Sequence, residues 1–171
     1  MFAPRRFSLR SLAFAALLGA LHSAPVFAET PALVATPIKY EITLDDALPA
    51  VRDMLVSALE ARNYAVINQL NVQEGLAGRG IEVHPLQIIE FCNLTKAYTV
   101  TRHVPDFEMF APCRLALFEK DGKTTIRVQR PSHVLSLLAT DPKLSAEGKA
   151  ALETFDRDLE AMLTELGNGG F

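Results

Sequence analysis

The pattern of apolar and polar residues predicts a strand followed by a helix near the start of the folded region. The two kinds of residue alternate from Ile38 to Leu44, as in a strand buried on one face. Asp45 can cap the helix that follows, with Pro49 in its first turn. The apolar residues of this helix recur at helical spacing: Leu48, Val51, Leu55 and Leu59. Asn63 then predicts a left-handed helix end.

Four more strands and a second long helix are predicted after this point. The strand segments are 64–70, 86–91, 113–119 and 123–129. Asp121-Gly122 between the last two strands is typical of a hairpin turn. Residues 74–80 form a turn-rich stretch to which no regular structure is assigned, and 93–104 favours a short helix. Ser145 can cap the last helix, whose apolar residues are Leu152, Phe155, Leu159, Met162 and Leu166.

The order strand, helix, four strands, helix predicts an α+β fold with two layers. Each of these elements has one apolar side to bury, so we expect an antiparallel sheet with the two long helices on one face. No repeat or second linker interrupts the chain, and 38–171 is therefore predicted to be a single domain. Residues 29–37 contain two prolines among small residues and predict a flexible leader.

Residues 1–28 have the features of a removable export signal. Three arginines without an acidic residue precede an apolar run of about ten residues, too short for the roughly 20 of a membrane-spanning helix. Small residues at Val26 and Ala28 predict cleavage after Ala28, which would leave a periplasmic or secreted protein free of the membrane. The alternative is a retained membrane anchor. Arg5-Arg6 resembles a twin-arginine signal, so both the general and the twin-arginine export route are open.

The charge of the chain argues against nucleic acid as a partner. The formal net charge is −3, from 17 basic and 20 acidic residues. Removal of Arg5, Arg6 and Arg10 with the signal changes it to −6. Nucleic acids and anionic membrane surfaces attract proteins through clustered Lys and Arg, and the mature sequence has no such cluster.

Two short motifs stand at facing ends of neighbouring predicted strands. Glu-Phe-Cys-Asn closes one strand at 90–93, and Ala-Pro-Cys opens the next at 111–113, after a helical loop. With them, the sequence resembles the bacterial and archaeal family catalogued as domain of unknown function 302. Members of that family usually have Cys-Asn-Pro and Leu-Pro-Cys at these places, whereas this chain has Leu94 and Ala111.

The resemblance covers about residues 38–166 and has mainly structural implications. It implies a two-layer fold similar to that of the TATA-box-binding protein, and often a homodimer. It marks Asn93 and Pro112 as motif residues. It implies no biochemical activity, and a shared fold does not by itself carry a nucleic-acid function.

Cys92 and Cys113 are the two cysteines of the chain and its main candidate site. The predicted strands place them opposite one another, within the distance that a disulfide spans. A bridge would close a loop of roughly 20 residues and stabilise the fold by about 3 kcal/mol. Two alternatives stay open: buried, inert thiols, or a soft-metal site for copper or zinc completed by His103 or Met109.

No catalytic constellation is apparent in the sequence. It lacks a nucleophile elbow, a zinc-protease helix and a dinucleotide-binding glycine pattern. We therefore expect a non-catalytic envelope protein that needs no cofactor and binds a small ligand or a protein partner. A soft-metal or thiol-redox factor using Cys92 and Cys113 is the second hypothesis.

Overall fold

The computed structural model describes residues 30–170, and the predicted export signal at 1–28 lies outside them. The strands are β1 (Val34–Ala35), β2 (Lys39–Leu44), β3 (Ala65–Asn71), β4 (Leu86–Cys92), β5 (Cys113–Lys120) and β6 (Lys123–Gln129). The helices are α1 (Leu48–Ala61), α2 (Val72–Ala77), α3 (Leu94–Thr101), α4 (Pro131–Leu138) and α5 (Ala146–Gly167), with a 3₁₀ helix at Pro105–Met109. Within the described part of the chain, every helix is too short or too polar to cross a bilayer.

All six strands pair antiparallel in one sheet, in the order β1-β2-β6-β5-β4-β3. The two long helices, α1 and α5, pack on one face of this sheet. The strand residues beneath them are fully buried: Tyr40, Ile42, Ile89, Phe91, Leu115, Leu117, Ile126 and Val128. This arrangement confirms the predicted two-layer α+β fold, because alternate strand residues supply one apolar face for the helices to cover.

A second apolar cluster lies beside the main core, at the first half of α5. It joins α3, α4 and the 3₁₀ helix through residues such as Val100, Phe107, Val134, Leu144 and Leu152. The sequence pattern did not predict α4, which begins at Pro131 shortly after the last strand. Proline is accepted in the first turn of a helix, where its missing N–H has no partner to lose.

The start of α1 differs from the prediction. The N-cap residue is Ala47 rather than Asp45, and Ala47 makes no capping bond with its side chain. Asp45 instead pairs with Lys123 at 2.6 Å. The helix is capped from another element, since the Glu119 carboxylate of β5 accepts a hydrogen bond from the Leu48 amide at 2.7 Å. A cap contributed from a distant strand leaves no local pattern in the sequence.

Two turns follow the prediction, and one turn-rich segment does not. Asn63 has a φ of 61°, the left-handed conformation expected at the end of α1. Asp121 and Gly122 both have positive φ, as a tight hairpin turn requires. Residues 72–77 form the short helix α2, because the Asn71 side chain accepts a hydrogen bond from the Glu74 amide. The prediction of no regular structure there was wrong.

The predicted leader is part of the sheet. Val34 and Ala35 pair with Glu41 and Tyr40 of β2, so β1 extends the sheet by one short strand. The segment also contacts the helical layer, because Gly167 at the end of α5 lies directly beneath Pro31. The interpretation of 29–37 as a loose leader is therefore wrong for its described residues.

A buried polar network connects α5 to the sheet and to the start of α4. Asp156, 8% exposed, accepts hydrogen bonds from the Tyr40 hydroxyl at 3.0 Å and from Arg130 Nη2 at 2.9 Å. Its other oxygen accepts from the Ser132 amide at 3.1 Å and the Ser132 hydroxyl at 2.9 Å. A carboxylate on α5 thus caps α4 and ties the sheet to the helices.

Candidate functional site: the cleft over Cys92 and Asn93

Asn93 joins two loops at the end of the sheet where β4 becomes α3. Its side-chain oxygen accepts a hydrogen bond from the Lys96 amide at 3.1 Å and so caps α3. Its side-chain amide donates to the Asn63 carbonyl at 3.3 Å, which fixes the turn between α1 and β3. Asn93 is 7% exposed and presents little surface to a ligand. Its role is to fix the positions of the two backbone segments that it hydrogen-bonds.

The strand register separates the two cysteines by one position. Cys113 lies opposite Phe91, and Cys92 lies opposite Ala65 on the other neighbouring strand. The prediction that Cys92 and Cys113 are direct partners was therefore wrong by one residue. Successive residues of a strand point to opposite faces, so this offset works against a bond between the two sulfurs. Both cysteines are free, and the predicted bridge is not formed.

Both thiols are held in the protonated form at neutral pH. Burial raises the pKa of Cys92. Burial, followed by the negative charge that Cys92 would carry, raises the pKa of Cys113 to about 12. The thiolate is the nucleophile in thiol chemistry, so neither residue has the activated form that catalytic cysteines use.

A narrow apolar void and an open cleft meet at Cys92 and Asn93. The void has about 10 Å³ of space, enough for one water molecule, and both cysteines line it together with Phe107 and Phe155. The cleft is much larger, about 340 Å³, and Cys113 does not line it. Its walls are formed by Glu60, Asn63, Tyr64, Ala65, Cys92, Asn93, Leu94 and Thr95.

One wall of the site is stiffened by a polar triad. The Tyr64 hydroxyl donates to Asp158 at 3.0 Å, and Lys96 forms an ion pair with the same carboxylate. The Tyr64 ring stacks on Phe155, with 5.2 Å between the ring centroids. Burial, followed by the charge of Asp158, raises the pKa of Tyr64, so its hydroxyl stays protonated. Sequence reasoning missed this triad because Lys96 and Asp158 are far apart in the chain.

The predicted metal ligands are not gathered around the cysteines. Met109 is 77% exposed in the 3₁₀ helix, and His103 is exposed at the end of α3. Among residues 30–170 there is no group of three or more His, Cys, Asp or Glu side chains that could hold a metal ion. Pro112, the other motif residue, follows a cis peptide bond and leads directly into Cys113.

Comparison with known proteins gives the family to which these features belong. The model of the domain of unknown function DUF302 matches residues 40–163, a range that includes the residues lining the cleft and, apart from β1 and the ends of β2 and α5, all the strands and helices given above. The chain belongs to the DUF302 family. A solved structure of an uncharacterized conserved DUF302 protein from Bacillus stearothermophilus is similar, with a TM-score of 0.64 and 25% sequence identity. The similarity covers 73% of this chain and 94% of that one. No curated protein matches.

Proposed function

We propose that this DUF302 chain is an exported, non-catalytic binding protein that holds a small ligand in the cleft over Cys92 and Asn93. The supporting observation is the cleft itself. Its volume of about 340 Å³ is within the range of small-molecule sites, and the family-motif residues Cys92 and Asn93 are among the residues that line it. Export and cleavage after Ala28 belong to the proposal, which places the mature protein in the periplasm or outside the cell.

The chemistry of the walls supports binding rather than turnover. Burial keeps the thiol of Cys92 protonated, and the polar groups of Tyr64, Lys96 and Asp158 are engaged with one another. Glu60 is the charged residue that lines the cleft, and Asn63 and Thr95 add uncharged polar groups. This lining suits a small polar ligand that is neutral or carries a positive charge, because an anion would face the Glu60 carboxylate.

A ligand screen by thermal shift tests the proposal directly. The mature chain is heated with panels of small polar amines, neutral metabolites and carboxylic acids. A ligand that binds the folded state alone raises the melting temperature in proportion to the logarithm of its concentration. Hits among the amines and neutral compounds, without conversion detected by mass spectrometry, are expected. Turnover of a hit that is abolished by Cys92→Ser would overturn the non-catalytic assignment.

Two matched substitutions locate the binding site of any hit. Thr95→Phe places an aromatic ring in the cleft, and we expect it to remove the thermal shift while the fold is kept. Ala61→Phe is the control, because Ala61 is exposed at the end of α1 and does not line the cleft. A shift that survives Thr95→Phe but disappears with Ala61→Phe would place the ligand elsewhere.

A thiol or soft-metal function of Cys92 and Cys113 is the second candidate. It is favoured by one observation, that both cysteines line the same apolar void. Thiolates are soft ligands that select Cu(I) or Zn(II), and a bound metal would displace their protons. Metal analysis of untagged protein, with alkylation before and after reduction, tests this candidate. A metal-to-protein ratio near zero together with identical alkylation patterns would dismiss it.

Intact-mass measurement tests the export part of the proposal. Protein recovered from the cell envelope should begin at Glu29 if cleavage follows Ala28. Replacing Arg5 and Arg6 with lysine separates the two export routes, because a twin-arginine signal depends on that pair. A full-length chain recovered from the cytoplasm would contradict export.

A further inference from the structure

One side of α3 carries apolar side chains that the described part of the chain does not cover. The helix packs against its neighbours through Ala97 and Val100, which belong to the second apolar cluster. Leu94 and Tyr98 lie outside this contact and are 64% and 66% exposed. The uncovered side of a surface helix is normally polar, so two large exposed side chains one turn apart indicate a binding surface.

Leu94 and Tyr98 form an apolar shelf at the rim of the cleft. Residues four positions apart on a helix are neighbours, and each side chain leans towards the preceding turn. The Tyr98 side chain is therefore directed over the turn that begins with Leu94. Leu94 also lines the cleft, so the apolar shelf is continuous with the cleft. A ligand bound in the cleft can extend onto the shelf along Leu94.

The α1 side of the cleft supplies a carboxylate that has no ionic partner. Glu60 is exposed, lines the cleft and forms no ion pair within the described part of the chain. Lys96, in the first turn of α3, is paired with Asp158. Arg62, at the end of α1, is paired with Glu165. These two basic residues are thus already neutralised, and Glu60 is left to attract a positively charged ligand.

We propose that the cleft binds an amphipathic amine, with its ammonium group at Glu60 and its apolar tail on the shelf formed by Leu94 and Tyr98. This inference rests on the proposed function of the cleft and adds the class of ligand. Each end of such a molecule meets its complement, because the carboxylate attracts the charge and the uncovered side chains remove the tail from water. A purely polar amine would leave the shelf exposed, and a neutral hydrocarbon would gain nothing from Glu60.

Calorimetric titration of the mature chain with primary alkylamines, from ethylamine to octylamine, tests both ends of the ligand. The affinity should rise about twofold to fourfold for each added methylene group, the upper value corresponding to complete burial of that group. Tyr98→Ser and Leu94→Ser should each flatten this rise, because the tail then loses part of the shelf. Glu60→Gln should weaken every amine by a similar factor and leave the rise with tail length unchanged. Melting temperatures show whether each variant is folded.

Leu137→Ser is the matched control, because Leu137 is an exposed residue of α4 that does not line the cleft, and it should leave the whole series unchanged. The inference is wrong if affinity does not rise with tail length, or if Leu137→Ser flattens the rise as much as Tyr98→Ser. It is also wrong if no amine binds while other compounds bind and are blocked by Thr95→Phe, a result that would still support the proposed function. Failure of every compound to bind would overturn both.

Discussion

Removal of the Asp156 carboxylate should be among the most damaging single changes in this fold. Asp156 receives hydrogen bonds from Tyr40, Arg130 and Ser132, and it is 8% exposed. Asp156→Ala leaves the Arg130 guanidinium, with its side chain 23% exposed, without its carboxylate. Breaking a buried ion pair on one side costs about 3–5 kcal/mol. The Tyr40 hydroxyl can still donate a hydrogen bond to Glu160, 3.2 Å away. We therefore expect Asp156→Ala to lower the free energy of unfolding by about 3 kcal/mol, the lower end of that range.

Chemical and thermal unfolding measure this loss. The chain has no tryptophan, so far-UV circular dichroism is the better probe of urea unfolding. A loss of about 3 kcal/mol corresponds to a fall of about 10 °C in melting temperature for a domain of this size. Glu153→Gln is the control, because Glu153 is exposed on the same helix, and it should change the unfolding free energy by less than about 0.5 kcal/mol.

The pH dependence of the unfolding free energy distinguishes the contribution of the Asp156 charge from the contribution of its side-chain packing. Burial alone would raise the pKa of Asp156, but hydrogen bonds from Arg130, Ser132 and Tyr40 outweigh it and hold the pKa below its usual value. Because the pKa of Asp156 is lower in the folded state than in the unfolded state, where it is about 3.9, the ionised carboxylate stabilises the fold above that pH. This stabilisation is lost as the pH falls through the folded-state pKa. The gap in unfolding free energy between the wild-type chain and Asp156→Asn should therefore narrow below about pH 4. A gap at pH 3 equal to that at pH 7 would refute this reasoning.

The remaining predictions concern two glycines and the first strand. Gly167→Ala should destabilise the fold by about 1–2 kcal/mol in urea unfolding, because the new methyl group would lie 2.7 Å from Ile42 Cδ1 and 3.0 Å from the Pro31 carbonyl oxygen. Gly75→Ala in α2 meets nothing closer than 4.0 Å and should stabilise by about 0.5 kcal/mol; the reverse order of the two effects would contradict the packing. Deletion of 30–37 removes β1 and should lower the melting temperature by several degrees, whereas an unchanged value would restore the interpretation of a loose leader.

Local sequence patterns predicted those elements whose causes are local. The alternation around Ile42 and the spacing along α5 set apolar faces that fold the same way in almost any context. Ser145 caps α5 as predicted, and the Asp121-Gly122 turn requires positive φ at both residues, which those residue types tolerate. Each of these features depends on neighbours within a few positions.

Features that depend on distant partners could not be predicted in the same way. The cap on α1 comes from Glu119, and α4 is capped by Asp156, so neither helix start has a complete local signature. The Tyr64–Lys96–Asp158 triad joins three separate elements. A tertiary hydrogen bond leaves no periodicity in the sequence, and the resemblance to the family gave the fold without these contacts.

The one-residue offset between Cys92 and Cys113 shows how register changes the chemistry expected of a site. Cysteines directly opposite one another on neighbouring strands are placed to bond, whereas an offset of one position takes the two side chains out of that pairing. Here the offset gives the thiols different surroundings, because Cys92 lines the open cleft and Cys113 lines only the narrow void. A ligand entering the cleft therefore meets Cys92, and Cys113 acts on it only through packing. Cys92→Ser should therefore change the affinity for a ligand, whereas Cys113→Ser should leave that affinity nearly unchanged, because Cys113 does not line the cleft.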